Sequence, residues 1–140
     1  MKDLVIEDSL KRVLESIDST YEFDSLVAII IIPEGGCAGC IEKSMDFLRG
    51  HNNYFNNVLF IITGVDDKKL TRLRLNDYNL FPSQNLVIDY KNEVTKNGLL
   101  SIYPKIFYLK QGVVENIDTS LPQNTEIWII FKKRMFNRLN

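Results

Sequence analysis

Two cysteines separated by two residues have the most distinctive chemistry in this sequence. They form the motif Cys37-Ala38-Gly39-Cys40, and the chain of 140 residues contains no other cysteine. A bridge between them closes so short a loop that it restrains the unfolded chain little. Two cysteines in a chain of this length also do not make a disulfide scaffold. Thiol chemistry therefore explains the pair better than stabilisation does.

Metal binding is the main chemical alternative for a cysteine pair. A structural zinc ion normally takes four ligands, and two further cysteines are missing. The single histidine, His51, lies eleven residues beyond Cys40, where the sequence predicts the end of a helix. We expect a surface position for His51, and neither a metal nor another cofactor in the protein.

The residues around the pair predict a strand before it and a helix after it. The run 26–32 is uninterrupted, apolar and rich in β-branched residues, which is typical of a strand buried on both faces. A proline and two glycines end this run: Pro33, Gly35 and Gly36. After the pair, three apolar residues recur at helical spacing: Ile41, Met45 and Leu48. Sites of α/β proteins commonly lie at such a strand end.

A cysteine at the start of a helix is suited to thiol–disulfide exchange. Unpaired backbone N–H groups and the helix dipole stabilise a thiolate at Cys37, and such surroundings lower a cysteine pKa from about 8.5 into roughly the 3.5–7.5 range. Cys37 is then the nucleophile, and Cys40, one helical turn later, resolves the mixed disulfide. Gly35 and Gly36 leave the approach to the pair unobstructed.

The rest of the chain predicts alternating helices and strands. Helices are expected at 3–18, at 66–76 with Leu70 and Leu73 directed inward, and from Asn124 or Thr125 to about residue 137. Strands are expected at 58–62 and 86–88, followed by a hairpin of 105–109 and 113–117. Residues 92–101 fit a short helix or a loop, and 126–131 also fit a strand. This order predicts one α/β domain over residues 1–140.

Composition limits the partners. The formal net charge of −1 argues against nucleic acid. Two basic clusters are read as solvated helix faces: Lys68, Lys69, Arg72 and Arg74, and then Lys132, Lys133 and Arg134. The longest apolar run has seven residues, too few to span a membrane. Because no signal-peptide pattern is present, we expect a cytoplasmic protein, or a periplasmic or otherwise extracytoplasmic one if a precursor was trimmed.

A second motif lies far from the cysteines. In residues 102–112 a proline, Pro104, opens an apolar strand that a turn glycine follows, and this resembles the cis-proline segment of the thioredoxin superfamily. Together with the strand–CxxC–helix order, it makes the chain similar to a thioredoxin-fold protein. The long stretch between Cys40 and Pro104 resembles the TlpA/ResA-like thiol–disulfide oxidoreductase branch.

The resemblance implies both a fold and a function. The fold would be a three-layer α/β/α sandwich around a mixed sheet, with a C-terminal hairpin and helix. The activity would be dithiol–disulfide exchange with a protein substrate and a redox partner protein; the oligomeric state stays open. Pro104 would be cis and pack against the dithiol. Tyr103 would offer backbone hydrogen bonds to substrate, with Gly36 at the same site.

Several positions depart from the family pattern: Gly36 stands where the family often has tryptophan, and Ala38-Gly39 where it often has a proline. The acidic residue that lies under the dithiol of thioredoxin falls on Ile31, and the glutamate of the TlpA-like branch falls on Lys43. Glu34 and Glu42 are the candidates that remain for a proton relay. A thioredoxin-fold module that binds peptides without catalysis is therefore the alternative function.

Overall fold

Helices and strands alternate along residues 2–17, 22–51, 57–77, 85–124 and 126–139, which the computed structural model describes. The helices are α1 (Lys2–Ile17), α2 (Ala38–His51), α3 (Lys68–Asp77), α4 (Glu93–Lys96) and α5 (Ile127–Leu139). The strands are β1 (Ala28–Pro33), β2 (Val58–Thr63), β3 (Leu86–Ile88), β4 (Lys105–Lys110) and β5 (Val113–Thr119). The predicted order of elements is confirmed.

The strands form one mixed sheet in the order β3-β2-β1-β4-β5. β1, β2 and β3 are parallel, whereas β4 and β5 are antiparallel to their neighbours. β1 lies at the centre, and all six of its residues are buried. Its continuous apolar run is what a strand covered on both faces requires. The β4–β5 turn places both Gln111 and Gly112 at positive φ, 50° and 79°, as tight hairpin turns require.

Helices cover both faces of the sheet. Successive residues of a strand point to opposite faces, so Ile30 and Ile32 pack against α2, α3 and α5, while Ile29 and Ile31 pack against α1 and α4. These two clusters are the two halves of the core. The predicted three-layer α/β/α arrangement is therefore confirmed.

The predicted inward face of α3 is wrong. Leu70 and Leu73 are each 53% exposed, whereas Thr71 and Leu75 are buried. Residues 71 and 75 are four positions apart and residues 70 and 73 are three, and both spacings fit one face of a helix, so periodicity alone does not choose between them. The packing of α3 against the sheet places Leu75 in the core instead.

The two undecided segments are resolved as helices. Residues 93–96 form α4, and residues 97–101 continue outside any helix or strand. The segment 126–131 belongs to α5 and its approach, so the strand alternative is wrong. Asn124 precedes α5, while Thr125, the other proposed cap, lies outside the described residues. Among the helices described, none is both long and apolar enough to cross a membrane.

Candidate active site

The two cysteines lie between the end of β1 and the start of α2. Cys37 directly precedes α2, and Cys40 is in its first turn. The two residues form a disulfide with a Cα–Cα distance of 5.3 Å. Cys40 is buried, at 2% exposure, while Cys37 is only half-buried. The arrangement therefore has one accessible sulfur-bearing residue and one inner residue.

A backbone N–H group in the first turn of α2 is directed at the Cys37 sulfur. The Cys40 N–H donates to Cys37 Sγ at 3.4 Å, and the Ile41 N–H donates to the Cys37 carbonyl at 2.9 Å. The Cys40 N–H belongs to the first turn of α2, whose N–H groups have no carbonyl partner earlier in the helix, whereas the Ile41 N–H forms an ordinary helical bond. Donors at a helix N-terminus favour negative charge on an acceptor, so this geometry stabilises a thiolate at Cys37.

The segment before Pro104 is attached directly to the dithiol loop. The Cys37 N–H donates to the Ile102 carbonyl at 2.8 Å. At Gly36 the two loops approach so closely that a Cβ atom would collide with the Ile102 carbonyl oxygen and lie 2.9 Å from its carbon. Glycine is thus needed at position 36 so that the dithiol loop can contact the segment before Pro104. The sequence had predicted only that Gly36 leaves access to the cysteines unobstructed.

Tyr103 and Pro104 lie one and two residues beyond Ile102. Pro104 is buried, and its carbonyl accepts a hydrogen bond from the Ser120 N–H at 2.8 Å. Tyr103 is half-buried, and its N–H donates to Ser101 Oγ at 3.1 Å. The structure therefore brings the neighbourhood of Pro104 to the dithiol, as the resemblance requires. The cis state of Pro104 and the substrate contacts of Tyr103 stay predictions.

A groove of about 390 Å³ runs beside the dithiol loop along one side of α2. Its lining combines an apolar floor with charged side chains: Glu34, Gly35, Gly36, Ala38, Ile41, Glu42, Met45 and Arg74. The groove therefore brings together the two glutamates proposed as proton relays. The groove is also lined by Arg74, which we had predicted to lie on a solvated helix face.

Glu34 is held in place at this groove. Its side chain, 11% exposed, forms an ion pair with Arg74, which is 41% exposed. Its second carboxylate oxygen, Oε2, is buried and has no hydrogen-bond partner within the part of the chain that the structure describes. The Glu34 N–H donates to the Thr63 carbonyl at 2.7 Å. Glu42, by contrast, is exposed on α2.

A buried polar cluster supports the ends of the parallel strands. Asp89, 1% exposed, accepts hydrogen bonds from Thr63 Oγ1 at 2.7 Å and from the Glu93 and Val94 N–H groups at 2.8 and 2.9 Å. Asp89 therefore caps α4 and fixes Thr63, whose carbonyl in turn holds the Glu34 backbone. Sequence reasoning missed this carboxylate, because an aspartate after a short strand resembles an ordinary turn residue.

Other site residues were missed for lack of a local signal. Arg74 lies 40 residues from Glu34, and no spacing rule connects them. Ile102 acts through its carbonyl, which its side chain does not reveal. Ile31 is buried in the core on the α1 face, and Lys43 is exposed, so neither supplies the acid of the family pattern. The side chain of His51 lies outside the described residues.

Comparisons with known proteins give fold relatives without close sequence relatives. No protein-family model matches the sequence, and no curated protein gives a significant match. A solved structure provisionally assigned as the thiol:disulfide interchange protein DsbE from Chlorobium tepidum has a TM-score of 0.53 at 14% identity, covering 84% of this chain and 82% of that one. A provisionally assigned thioredoxin from Neisseria meningitidis has a TM-score of 0.53 at 17% identity, covering 82% and 78%. The chain therefore has the thioredoxin-like fold that the CxxC motif and the Pro104 segment predicted.

Proposed function

We propose that the protein is a thiol–disulfide oxidoreductase that exchanges its Cys37–Cys40 dithiol with disulfides of polypeptide substrates. The observation that carries this proposal is the asymmetry of the pair: Cys37 is half-buried at the start of α2, and Cys40 is buried behind it. The DsbE-like structure is described as an interchange protein, which agrees with this chemistry.

The exchange proceeds in two balanced steps. The Cys37 thiolate attacks one sulfur of the substrate disulfide, so that a mixed disulfide forms and one substrate thiolate leaves and takes up a proton. Cys40 then loses its proton and attacks Cys37 Sγ. The mixed disulfide breaks, the second substrate thiol is released, and two electrons have passed from the protein to the substrate. In the oxidising direction the same steps run in reverse.

The substrate would lie across the Pro104 segment. Ile102 is 62% exposed while its carbonyl is fixed by the Cys37 N–H, so it presents an apolar side chain next to the dithiol. A substrate carbonyl that bonds to the Tyr103 N–H would displace the Ser101 hydroxyl that now occupies it. Gly36 holds the dithiol loop against Ile102, so the substrate would lie beside both loops.

Insulin reduction driven by dithiothreitol tests the assignment. We expect wild-type turnover, no turnover above background for Cys37→Ser, and accumulation of a mixed disulfide for Cys40→Ser. A wild-type rate equal to that of Cys37→Ser would overturn the assignment. It would favour the alternative function, a module that binds peptides without catalysis. That alternative is supported by Ile31, an apolar residue at the position where the family has an acidic one.

The direction of electron flow follows from the reduction potential. Equilibrating the protein with glutathione buffers and titrating free thiols measures it. A potential near about −270 mV would make the protein a reductant, and one near about −120 mV an oxidant.

Glu34 is the proposed proton acceptor for Cys40, with Glu42 as its competitor. Both line the groove beside α2. Glu34→Gln removes the proton acceptor and should slow resolution of the mixed disulfide on the order of 100-fold. Arg74→Met is the matched control, because it breaks the same ion pair but keeps the carboxylate. If Glu34→Gln leaves the rate unchanged and Glu42→Gln lowers it, the relay is Glu42.

A further inference from the structure

The C-terminal helix α5 carries a charge pattern that the dithiol chemistry does not explain. It contains four of the chain's 17 basic residues and none of its 18 acidic residues. The whole chain has a formal net charge of −1, so the remaining residues are acidic overall. Positive charge is thus concentrated on two helices of an otherwise acidic protein, on α3 together with one aspartate and on α5 with no acidic residue at all.

Apolar side chains lie on the outward side of the same helix. Four residues of α5 are buried against the sheet: Ile127, Trp128, Phe131 and Met135. On the opposite side, Ile129 is 58% exposed and Phe136 is 40% exposed. These two residues are seven positions apart, which is two helical turns, so they lie along one line of the helix.

Lysines flank this apolar line on both sides. Lys132 and Lys133 lie three and four residues after Ile129 and are both exposed. The Lys132 ammonium is 5.8 Å from the centre of the Phe136 ring, so charged and apolar groups are interleaved. Transfer of Ile129 and Phe136 from water into an apolar phase would be favourable, and the lysines beside them could stay with anionic groups at its edge.

We propose that the outward face of α5 (Ile129, Lys132, Lys133 and Phe136) binds an anionic lipid surface. Ile129 and Phe136 would enter the boundary between headgroups and acyl chains, as the apolar residues of interfacial helices do. The lysines would reach the lipid phosphates while their methylene stems cover apolar surface. The proposal does not depend on the dithiol.

Charge complementarity favours this partner over two others. A second copy of the chain that packed α5 on α5 would place two cationic helices side by side. A nucleic acid would neutralise the lysines but would leave Ile129 and Phe136 without an apolar environment. A lipid surface satisfies both kinds of group at once.

Vesicle co-sedimentation tests the proposal. The probes are vesicles of phosphatidylcholine alone and of equimolar phosphatidylcholine and phosphatidylglycerol, at low and high salt. We expect binding to the anionic vesicles alone and a fall in binding with salt. Lys132→Gln with Lys133→Gln should weaken partitioning roughly 30-fold, and Ile129→Ser with Phe136→Ser should abolish it. Circular dichroism confirms that the variants are folded.

Matched substitutions elsewhere provide the controls. Lys43→Gln with Lys69→Gln removes the same charge from exposed positions on α2 and α3, and Leu73→Ser removes an exposed leucine; both should bind like wild type. Absence of wild-type binding at low salt, or equal loss in the controls, would overturn the proposal. Sedimentation equilibrium that shows self-association abolished by the Ile129 and Phe136 substitutions would assign the face to a dimer instead. Cys37→Ser should bind vesicles normally, which separates this result from failure of the oxidoreductase assignment.

Discussion

Gly36 is the residue at which the dithiol loop and the Pro104 segment come into contact. A side chain there meets backbone atoms of Ile102, and Pro33 Cγ at 3.1 Å, so the two loops would have to separate. We expect Gly36→Ala to lower the free energy of unfolding by about 1–3 kcal/mol, measured by urea denaturation. Gly39→Ala is the control, because no atom beyond its chain neighbours and its own helix backbone lies within 4 Å of the added Cβ. Equal midpoints for the two variants would contradict the expectation.

Asp89 is the second residue for which the structure predicts the loss of stability on substitution. Asp89→Ala would leave the Thr63 hydroxyl and the N–H groups of Glu93 and Val94 without their acceptor. Each buried donor left unpaired costs about 1–3 kcal/mol, so we expect a loss of at least about 2 kcal/mol in urea denaturation. Asp118→Ala, at a half-buried strand position, should cost less. A loss at Asp89 no larger than at Asp118 would show that water replaces the lost acceptor.

At the scale of elements, the face of α3 that packs against the sheet differs from the face that the sequence periodicity predicted. Leu75 is fully buried and Leu73 is 53% exposed on the same helix. Leu75→Ala should cost about 2–5 kcal/mol, as truncation of a core leucine does, whereas Leu73→Ala should change stability by less than about 0.5 kcal/mol. Urea denaturation of the two variants measures the difference. The reverse order would restore the inward face that periodicity predicted.

At the scale of the whole molecule, one sheet joins the two halves of the core. Trp128, the only tryptophan, is buried on the α2/α5 side, where it stacks on Phe47. Its fluorescence therefore reports one half of the core, while circular dichroism reports both. We expect the two signals to give coincident urea transitions, because β1 contributes side chains to both faces. Separate transitions would show that the α1 side unfolds independently.

The dithiol should contribute little to this global stability. The Cys37–Cys40 bridge closes a loop of only a few residues, for which the chain-entropy relation gives about 2 kcal/mol or less. The double variant Cys37→Ser with Cys40→Ser should therefore stay folded and lose no more than this amount in urea denaturation. A larger loss would make the bridge a structural element and weaken the case for exchange chemistry.

The sequence by itself determined the elements and the chemistry that depends on near neighbours. An unbroken apolar run predicts β1, helical spacing predicts α2, and the position of Cys37 between them follows without tertiary information. Tertiary packing decided which residues far apart in the sequence come into contact, and which of two equally plausible helix faces is buried. It joined Glu34 to Arg74 and Cys37 to the Ile102 carbonyl, and no local rule connects residues so far apart. Packing also selected Leu75 over Leu73 for the core, because spacings of three and four residues both fit a helix face and only contact with the sheet separates them. The CxxC motif therefore specified the reactive pair, whereas the loop contact and the charged groove around it exist only in the folded chain.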